Sequence, residues 1–386
     1  MSESKHRVQS ITVEDDGRLL ALGWRDGNSS RYHAVWLRAN SQGDNCIDSS
    51  SGQRLTSIAN LPNDCRVHVA SVNADGGIFV TFTDHDNAEQ DTFEFECSYT
   101  PSWLWANQYD RMPALPKGWI DPALSLWDAD IEIETPAYSD IMNDDAALKE
   151  WLSGLHRFGV ARLRDCPRTS GEVNRIAERF GFVRETNYGR YFDVESVADP
   201  INLAYTTQAL EVHTDNPYRD PVPGLQLLLA LETTAEGGDS IIVDGFSAAH
   251  CFRDTDPQSF HLLTEHCVGF EFHTSDIALN SKAPVISLNV EGQIVQIRHN
   301  NRAIRPTRLP FDVTADWYGA QAKFARLLNE PERQLRIHLG DGDLLVMNNH
   351  RTLHGRAAFN LDKGKRHLQG CYMDNDSLTQ HRTTNT

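Results

Sequence analysis

Basic residues, long apolar runs and paired cysteines are what this sequence lacks. Lys and Arg number 36 against 54 Asp and Glu, a net charge of −18 that is spread along the chain rather than gathered in a tail. Nucleic acid and anionic membranes select for basic patches, so neither is expected as a partner. No stretch approaches the ~20 apolar residues that a membrane helix needs. The opening MSESKHRVQS has neither the apolar core nor the cleavage site of a signal peptide, and a soluble, cytoplasmic protein is expected. The seven cysteines, at 46, 65, 97, 166, 251, 267 and 371, are odd in number and form no C-x-x-C pair. Free thiols in a reducing compartment account for them better than a disulfide framework does. Internal repeats are absent, as is low-complexity text beyond the polar end SLTQHRTTNT.

What is present is enough apolar text, 40% of 386 residues, for one large domain and a smaller one. SITVEDDGRLLALGW and RVHVASVNADGGIFVTFTD alternate apolar and polar residues around D-G turns, the pattern of hairpins. A small β-rich domain over 1–115 follows. The Pro- and Trp-bearing text from PSWLWANQYD to LSLW reads as an ordered connection, with a linker over 116–142. Leu148, Trp151, Leu152 and Leu155 fall at helical spacing behind acidic residues suited to a helix start, predicting an amphipathic helix over 144–158. GVARLRDC then reads as a strand and SGEVNRIAERFGFV as a helix. Beyond them strand signals dominate to about Asp374, in LQLLLALE, SIIVDGF, APVISLNV, QIVQIRHN, LRIHLGDGDLLVMNN and RHLQGCYM, with one further helix near ADWYGAQAKFARLLNE. Many strands and few helices over 143–386 predict a mainly β fold, a jelly-roll barrel with helices packed on one side.

In V-H-T-D-N, His213 and Asp215 sit two apart, so on an extended strand both project from one face. His354, in N-N-H-R-T-L-H-G-R about 140 residues later, supplies a third ligand if distant strands of a barrel meet. Two histidines and one carboxylate on one face of a metal leave positions open for a keto-acid and O2, the arrangement of a non-haem Fe(II) oxygenase. Arg366, 12 residues past His354, reads either as a surface arginine or as the partner of the distal carboxylate of 2-oxoglutarate. Ser240, after Gly237-Gly238-Asp239, reads as a turn residue or as a hydroxyl for the same carboxylate. A cupin-like metal-binding protein or isomerase shares the barrel without oxygenation; Arg366 is the feature that separates the two.

These residues, with N-L-A-Y-T-T, H-T-D-N-P, P-G-L-Q-L-L, G-G-D-S-I-I-V-D-G-F, L-H-G-R and R-H-L-Q-G-C-Y around them, resemble the γ-butyrobetaine dioxygenase family and its relatives acting on trimethyllysine and trimethylaminoethylphosphonate. The resemblance covers about residues 145 to 376. It implies a double-stranded β-helix, Fe(II), 2-oxoglutarate and O2 with ascorbate as activator, and a homodimer. Y-H-A-V-W-L-R-A-N at 32–40 resembles the family's small β domain, where three cysteines and a histidine enclose zinc. This chain has Ser41, Gly43 and Cys46 at the cysteine positions and His85 at the histidine. With two of four ligands gone, no structural zinc is expected.

The same resemblance places an aromatic cage for a quaternary ammonium at Tyr188, Phe192, Tyr205 and Tyr372, since such a cation offers no hydrogen-bond donor and is met by ring faces. Taken singly, each is an ordinary core aromatic. A taurine-type sulfonate oxygenase shares the iron but has no use for the cage. The substrate's anion falls to Asn202 and Asn301. Arg302 follows directly, with Arg298 and Arg305 close by, and unbroken strand alternation would put Arg298 and Arg302 on one face and Asn301 on the other. They are either solvent-facing residues of an edge strand or donors to an anion. A phosphonate rewards extra guanidinium groups more than a carboxylate does. The expected substrate is therefore 2-trimethylaminoethylphosphonate, hydroxylated at C1, with γ-butyrobetaine, hydroxylated to carnitine, as the alternative. His299 reads as strand packing; His350, His367 and Cys371 receive no role.

Overall fold

The structure, a computed structural model, describes residues 6–43, 45–62, 64–85, 93–110, 115–195, 207–360 and 364–378, without the side chains of 84, 85, 93 and 94. The chain divides into two compact units, Met1–Ala114 and Leu115–Thr386.

The first unit holds two three-stranded antiparallel sheets. One is formed by β1 (Val8–Glu14), β2 (Leu19–Trp24) and β3 (Ser29–His33), the other by β4 (Asp64–Val72), β5 (Ile78–His85) and β6 (Phe93–Tyr99). Alternation decides what is inside: Leu20, Leu22 and Trp24 on β2 meet Ile78, Val80 and Phe82 on β5 in one core. The turn between β4 and β5 needs Gly76, whose φ of 87° suits a residue without Cβ. Helix α1 (Ala34–Ala39) follows β3 and α2 (Pro101–Ala106) follows β6. The second corrects the expectation of irregular text there, because Thr100 caps the helix through Trp103 N and Pro101 occupies the first turn, where its missing N–H is not needed. After α1, Ser41 turns back on the Arg38 carbonyl at 2.7 Å, Gln42 N donates to Cys97 Sγ at 3.2 Å, and Cys46 is buried. The His85 side chain lies outside the described ones.

In the second unit, residues 116–142, expected as a linker, pack into the body: Trp127 is buried and its indole donates to the Phe158 carbonyl at 2.7 Å. Helix α3 (Tyr138–Asn143) follows, then α4 (Asp145–Phe158), capped by Asp144, with Leu148, Trp151, Leu152 and Leu155 all buried as their spacing predicts. After β7 (Val160–Leu163) come α5 (Glu172–Glu178), β8 (Phe192–Glu195), β9 (Leu210–His213), β10 (Leu225–Thr233), β11 (Glu236–Gly237) and β12 (Ser240–Asp244). Helices α6 (Gly245–Thr255) and α7 (Pro257–Glu265), the hairpins β13 (Val268–His273)–β14 (Ala278–Ala283) and β15 (Ile286–Leu288)–β16 (Ile294–Ile297), and α8 (Phe311–Leu328) form an insertion. Strands β17 (Leu335–Ile337), β18 (Leu344–Asn348), β19 (Thr352–Arg356), β20 (Phe359–Asn360) and β21 (Arg366–Met373) complete the unit.

Two sheets make the barrel, in the orders β7-β18-β10-β21-β8 and β17-β12-β19-β9, and the expected jelly roll is what forms. The central strand β10 is buried on both faces. Leu225, Leu227 and Leu229 point to α4 and α5, while Leu228 and Ala230 point between the sheets toward Ile242 and Ile337. This explains a near-continuous apolar strand rather than an alternating one.

Candidate active site

Strand register brings the metal-ligating types together. His354 on β19 pairs with His213 on β9, and Asp215 lies just past the end of β9. Ligand atoms of His213, Asp215 and His354 all lie within 4.8 Å of one another. Nε2 of His213 is 3.5 Å from Asp215 Oδ1, and Nε2 of His354 is 3.9 Å from Oδ2. Because the Glu211 carbonyl can only accept, His213 Nδ1, 2.9 Å away, carries the proton and leaves Nε2 free for a metal.

Asp215 is held from several sides. Its backbone N donates to Asn349 Oδ1 at 2.8 Å, and Asn349 Nδ2 donates back to its carbonyl at 3.0 Å. Tyr372 and Gln226 both donate to Oδ2 at 2.7 Å, so Oδ1 is the oxygen left open. Burial raises the Asp215 carboxyl, but His354, His213 and the Tyr372 hydroxyl outweigh it and hold it below its ordinary value. Burial pushes His354 down to about 3, which keeps its imidazole neutral and able to bind a metal.

The triad opens into a cavity of about 610 Å³ that is also lined by Ser240, Arg366, Arg356 and Arg302. Arg366 is 7% exposed, and its guanidinium makes no hydrogen bond or ion pair with any described residue. Gly238 leaves space for it, since a Cβ there would lie 3.0 Å from Arg366 Cδ and Nε. Burial, then Arg356, lowers Arg366 to about 10, so it remains a cation. A buried cation with no ion-pair partner among the described residues is what a dicarboxylate co-substrate would complete.

Three of the four aromatic residues singled out for a cage are among the described residues. Tyr188, Phe192 and Tyr372 line the cavity, with Phe192 stacked on Tyr372 at 5.0 Å and Tyr188 6.0 Å from Phe192. Phe192 lies over Gly370, where a Cβ would come within 2.7 Å of its Cζ. Asn202 and Tyr205 lie outside the described residues. Tyr218 and Phe272 extend the same wall, their rings stacked at 5.1 Å.

The arginine cluster is not where alternation would put it. Strand β16 ends at Ile297 and a turn follows, so alternation does not carry through to Arg302. Asn301 is exposed and not among the cavity-lining residues; its place is taken by Asn300, which donates to the Thr214 carbonyl at 3.1 Å. Arg298 is spent on Ser281 Oγ and the Pro217 carbonyl, and Arg305 on Glu271 at 2.7 Å. Of the three, Arg302 alone lines the cavity. Residues that sequence reasoning missed are Gln226, Asn216, Tyr218, Phe272 and Asn300. Gln226 had a signal, being the one polar letter in L-Q-L-L-L-A-L.

Residues 123–372 match the family described as taurine catabolism dioxygenase TauD, TfdA family, and residues 11–97 match the gamma-butyrobetaine hydroxylase-like N-terminal family. The gamma-butyrobetaine dioxygenase of Pseudomonas sp. (strain AK-1) is 33% identical over 93% of this chain and 91% of its own. The chain belongs to the γ-butyrobetaine dioxygenase family. The human gamma-butyrobetaine dioxygenase is 31% identical over 96% of this chain and 95% of its own. The mitochondrial trimethyllysine dioxygenase of Bos taurus is 29% identical over 91% and 82%. As a member of the γ-butyrobetaine dioxygenase family this chain is a dioxygenase using Fe(II), 2-oxoglutarate and O2. The donor set fits: His213, Asp215 and His354 would hold Fe(II), and Arg366 with Ser240 would hold the distal carboxylate of 2-oxoglutarate. Together with O2 these supply oxidative decarboxylation coupled to hydroxylation of a C–H bond. The protein's own work is to orient Asp215 through Gln226 and Tyr372, keep the His354 imidazole neutral, and exclude water with the apolar residues Leu228, Ile242, Leu345 and Met347 around the cavity.

Proposed function

We propose that the enzyme hydroxylates a short trimethylammonium zwitterion, and that γ-butyrobetaine, converted to carnitine, is that substrate. The reaction consumes substrate, 2-oxoglutarate and O2 and yields carnitine, succinate and CO2, with one oxygen atom entering each organic product. The observation that carries this reading is the aromatic wall of Tyr188, Phe192, Tyr372, Tyr218 and Phe272 in the cavity that holds the triad. Ring faces attract a cation that has no hydrogen to donate. The relatives acting on γ-butyrobetaine and trimethyllysine support the same class. The phosphonate expectation rested on three arginines, and two of them are engaged by Ser281, Pro217 and Glu271. One remaining guanidinium matches a single carboxylate.

A second reading stands on Arg302 itself. It makes no ion pair with a described residue and would serve the phosphonate of 2-trimethylaminoethylphosphonate as well. Succinate release under Fe(II), ascorbate and 2-oxoglutarate tests both, with γ-butyrobetaine, trimethyllysine, 2-trimethylaminoethylphosphonate and taurine compared at equal concentration. Strongest coupling to γ-butyrobetaine is expected. Strongest coupling to the phosphonate would replace the first reading with the second, and coupling to taurine alone would remove both.

A further inference from the structure

Helix α8 has two faces, and the described residues account for one. Trp317, Ala320, Phe324 and Leu328 are buried in the core that also holds Phe252 of α6 and Phe260 of α7. On the opposite side Phe311, Ala315, Tyr318 and Ala322 follow the i, i+4, i+7, i+11 spacing of a single helix face, yet all four are exposed, Phe311 at 99%. Gly319 stands beside this stripe, also exposed. Glycine inside a helix is destabilising relative to alanine, and no described residue calls for it, since a Cβ there would meet no atom within 4 Å. A missing side chain on an outward face lets another helix approach closely.

The charges on the same face are ordered along it, with Asp312 and Asp316 toward the start of α8 and Lys323 and Arg326 toward its end. The side chains of Asp312, Asp316 and Arg326 make no hydrogen bond or ion pair with any described residue, while Lys323 bonds Asp256 at 2.6 Å and stays half exposed. Acidic starts and basic ends suit the helix's own dipole, so the order alone decides nothing. The register does. A two-fold axis across α8 at Gly319 sets residues equally far from it opposite one another. Asp312, seven residues before Gly319, then faces Arg326 of the other copy, seven after it. Asp316 falls beside Lys323 in the same way, and Ala315 beside Ala322.

We propose that the outer face of α8 docks the same face of a second copy of this chain, the two helices antiparallel about a two-fold axis at Gly319. Such a contact is self-complementary: carboxylates meet cations at both ends, and the small residues and the Phe311 and Tyr318 rings pack between them. A parallel pairing would instead set Asp312 on Asp312 and Arg326 on Arg326. At a net charge of −18 per chain, two copies repel one another over most of their surfaces, which favours a face where cations meet carboxylates. The helix has 18 residues, about 27 Å of length, and a strip one helix wide is smaller than the ~800 Å² per partner of a standard interface. The association is therefore reversible and concentration-dependent. No residue of α8 lines the metal-bearing cavity, so each copy keeps its own site.

The test is sedimentation velocity of the full chain over a concentration series, where the average mass of wild type is expected to double. Asp312→Arg and Arg326→Asp each place like charges opposite one another and should raise the dissociation constant about tenfold or more. The double variant exchanges the pair and should return to within about threefold of wild type. Gly319→Arg blocks the close approach with a better helix former, so its melting temperature should hold or rise while association is lost. Melting temperature and succinate release per chain confirm that the charge variants fold. A wild type that keeps a constant mass, single exchanges without effect, or a double variant no better than the singles would each overturn the proposed face.

Discussion

At the scale of single residues, the site depends on side chains whose partners are few and specific. Arg366 should answer to the co-substrate alone: Arg366→Ala is expected to raise the KM for 2-oxoglutarate at least tenfold while leaving affinity for the ammonium substrate nearly unchanged. Steady-state kinetics with each compound varied in turn checks this. Gln226 tests a different link. A buried amide on a leucine strand is costly unless it is used, and here it fixes Asp215 Oδ2 at 2.7 Å. Gln226→Leu should keep or raise the melting temperature of metal-free protein, yet weaken Mn(II) binding about 10- to 100-fold. Unchanged metal affinity would show that the hydrogen bond does not matter to the ligand.

At the scale of elements, strand and helix periodicity carried most of the fold. Leu148, Trp151, Leu152 and Leu155 named the buried face of α4, and the H-x-D spacing with L-H-G-R named the triad. Helices α6 and α7 went unread because their letters are mixed and their start signals are the caps Asp244 and Asp256, which a strand-minded reading of SIIVDGF passes over. Asn301 came from the family resemblance, and the turn after β16 brings Asn300 rather than Asn301 to the cavity; alternation carried past the end of that strand misled only the reading of the arginines. Tyr218, Phe272 and Asn216 lie on a loop and a hairpin whose approach to the cavity is purely tertiary. One long-range device joins several elements near the site. Arg351, three residues before His354, donates Nε and Nη2 to Asp244 at 3.0 and 2.7 Å and Nη1 to the Arg157 carbonyl at 2.9 Å, fully buried. Removing one partner of a buried pair leaves an uncompensated charge, so Asp244→Ala should lose on the order of 3–5 kcal/mol. A lowered urea midpoint at unchanged slope is the expected readout.

For the whole molecule, no helix among the described residues is long and apolar enough to cross a membrane. Its stability should depend on acid through buried histidines outside the ligand set. Burial lowers His299 to about 4 and also lowers His350. Below the ordinary value of 6.5 the unfolded chain takes up protons that these groups refuse when folded. Their contribution is therefore complete above that value and is lost as pH falls toward about 4. For His299 alone the loss by pH 4.5 is on the order of 2–3 kcal/mol. Melting of metal-free protein from pH 7 to 4.5 should show the decline, and His299→Gln should flatten it.

The pairing of His354 with His213 across two strands also sets an order in time. His213 and Asp215 are two residues apart in the chain, but His354 joins them only when chain made about 140 residues later supplies β19, the strand on which β9 pairs. Long loops of this kind close late in folding. A nascent or partly folded chain therefore presents only a two-point, weak hold on iron, and high-affinity loading waits for the finished barrel. Metal occupancy in a cell extract would then count completed molecules, and a chain stalled before β19 would leave the iron pool untouched.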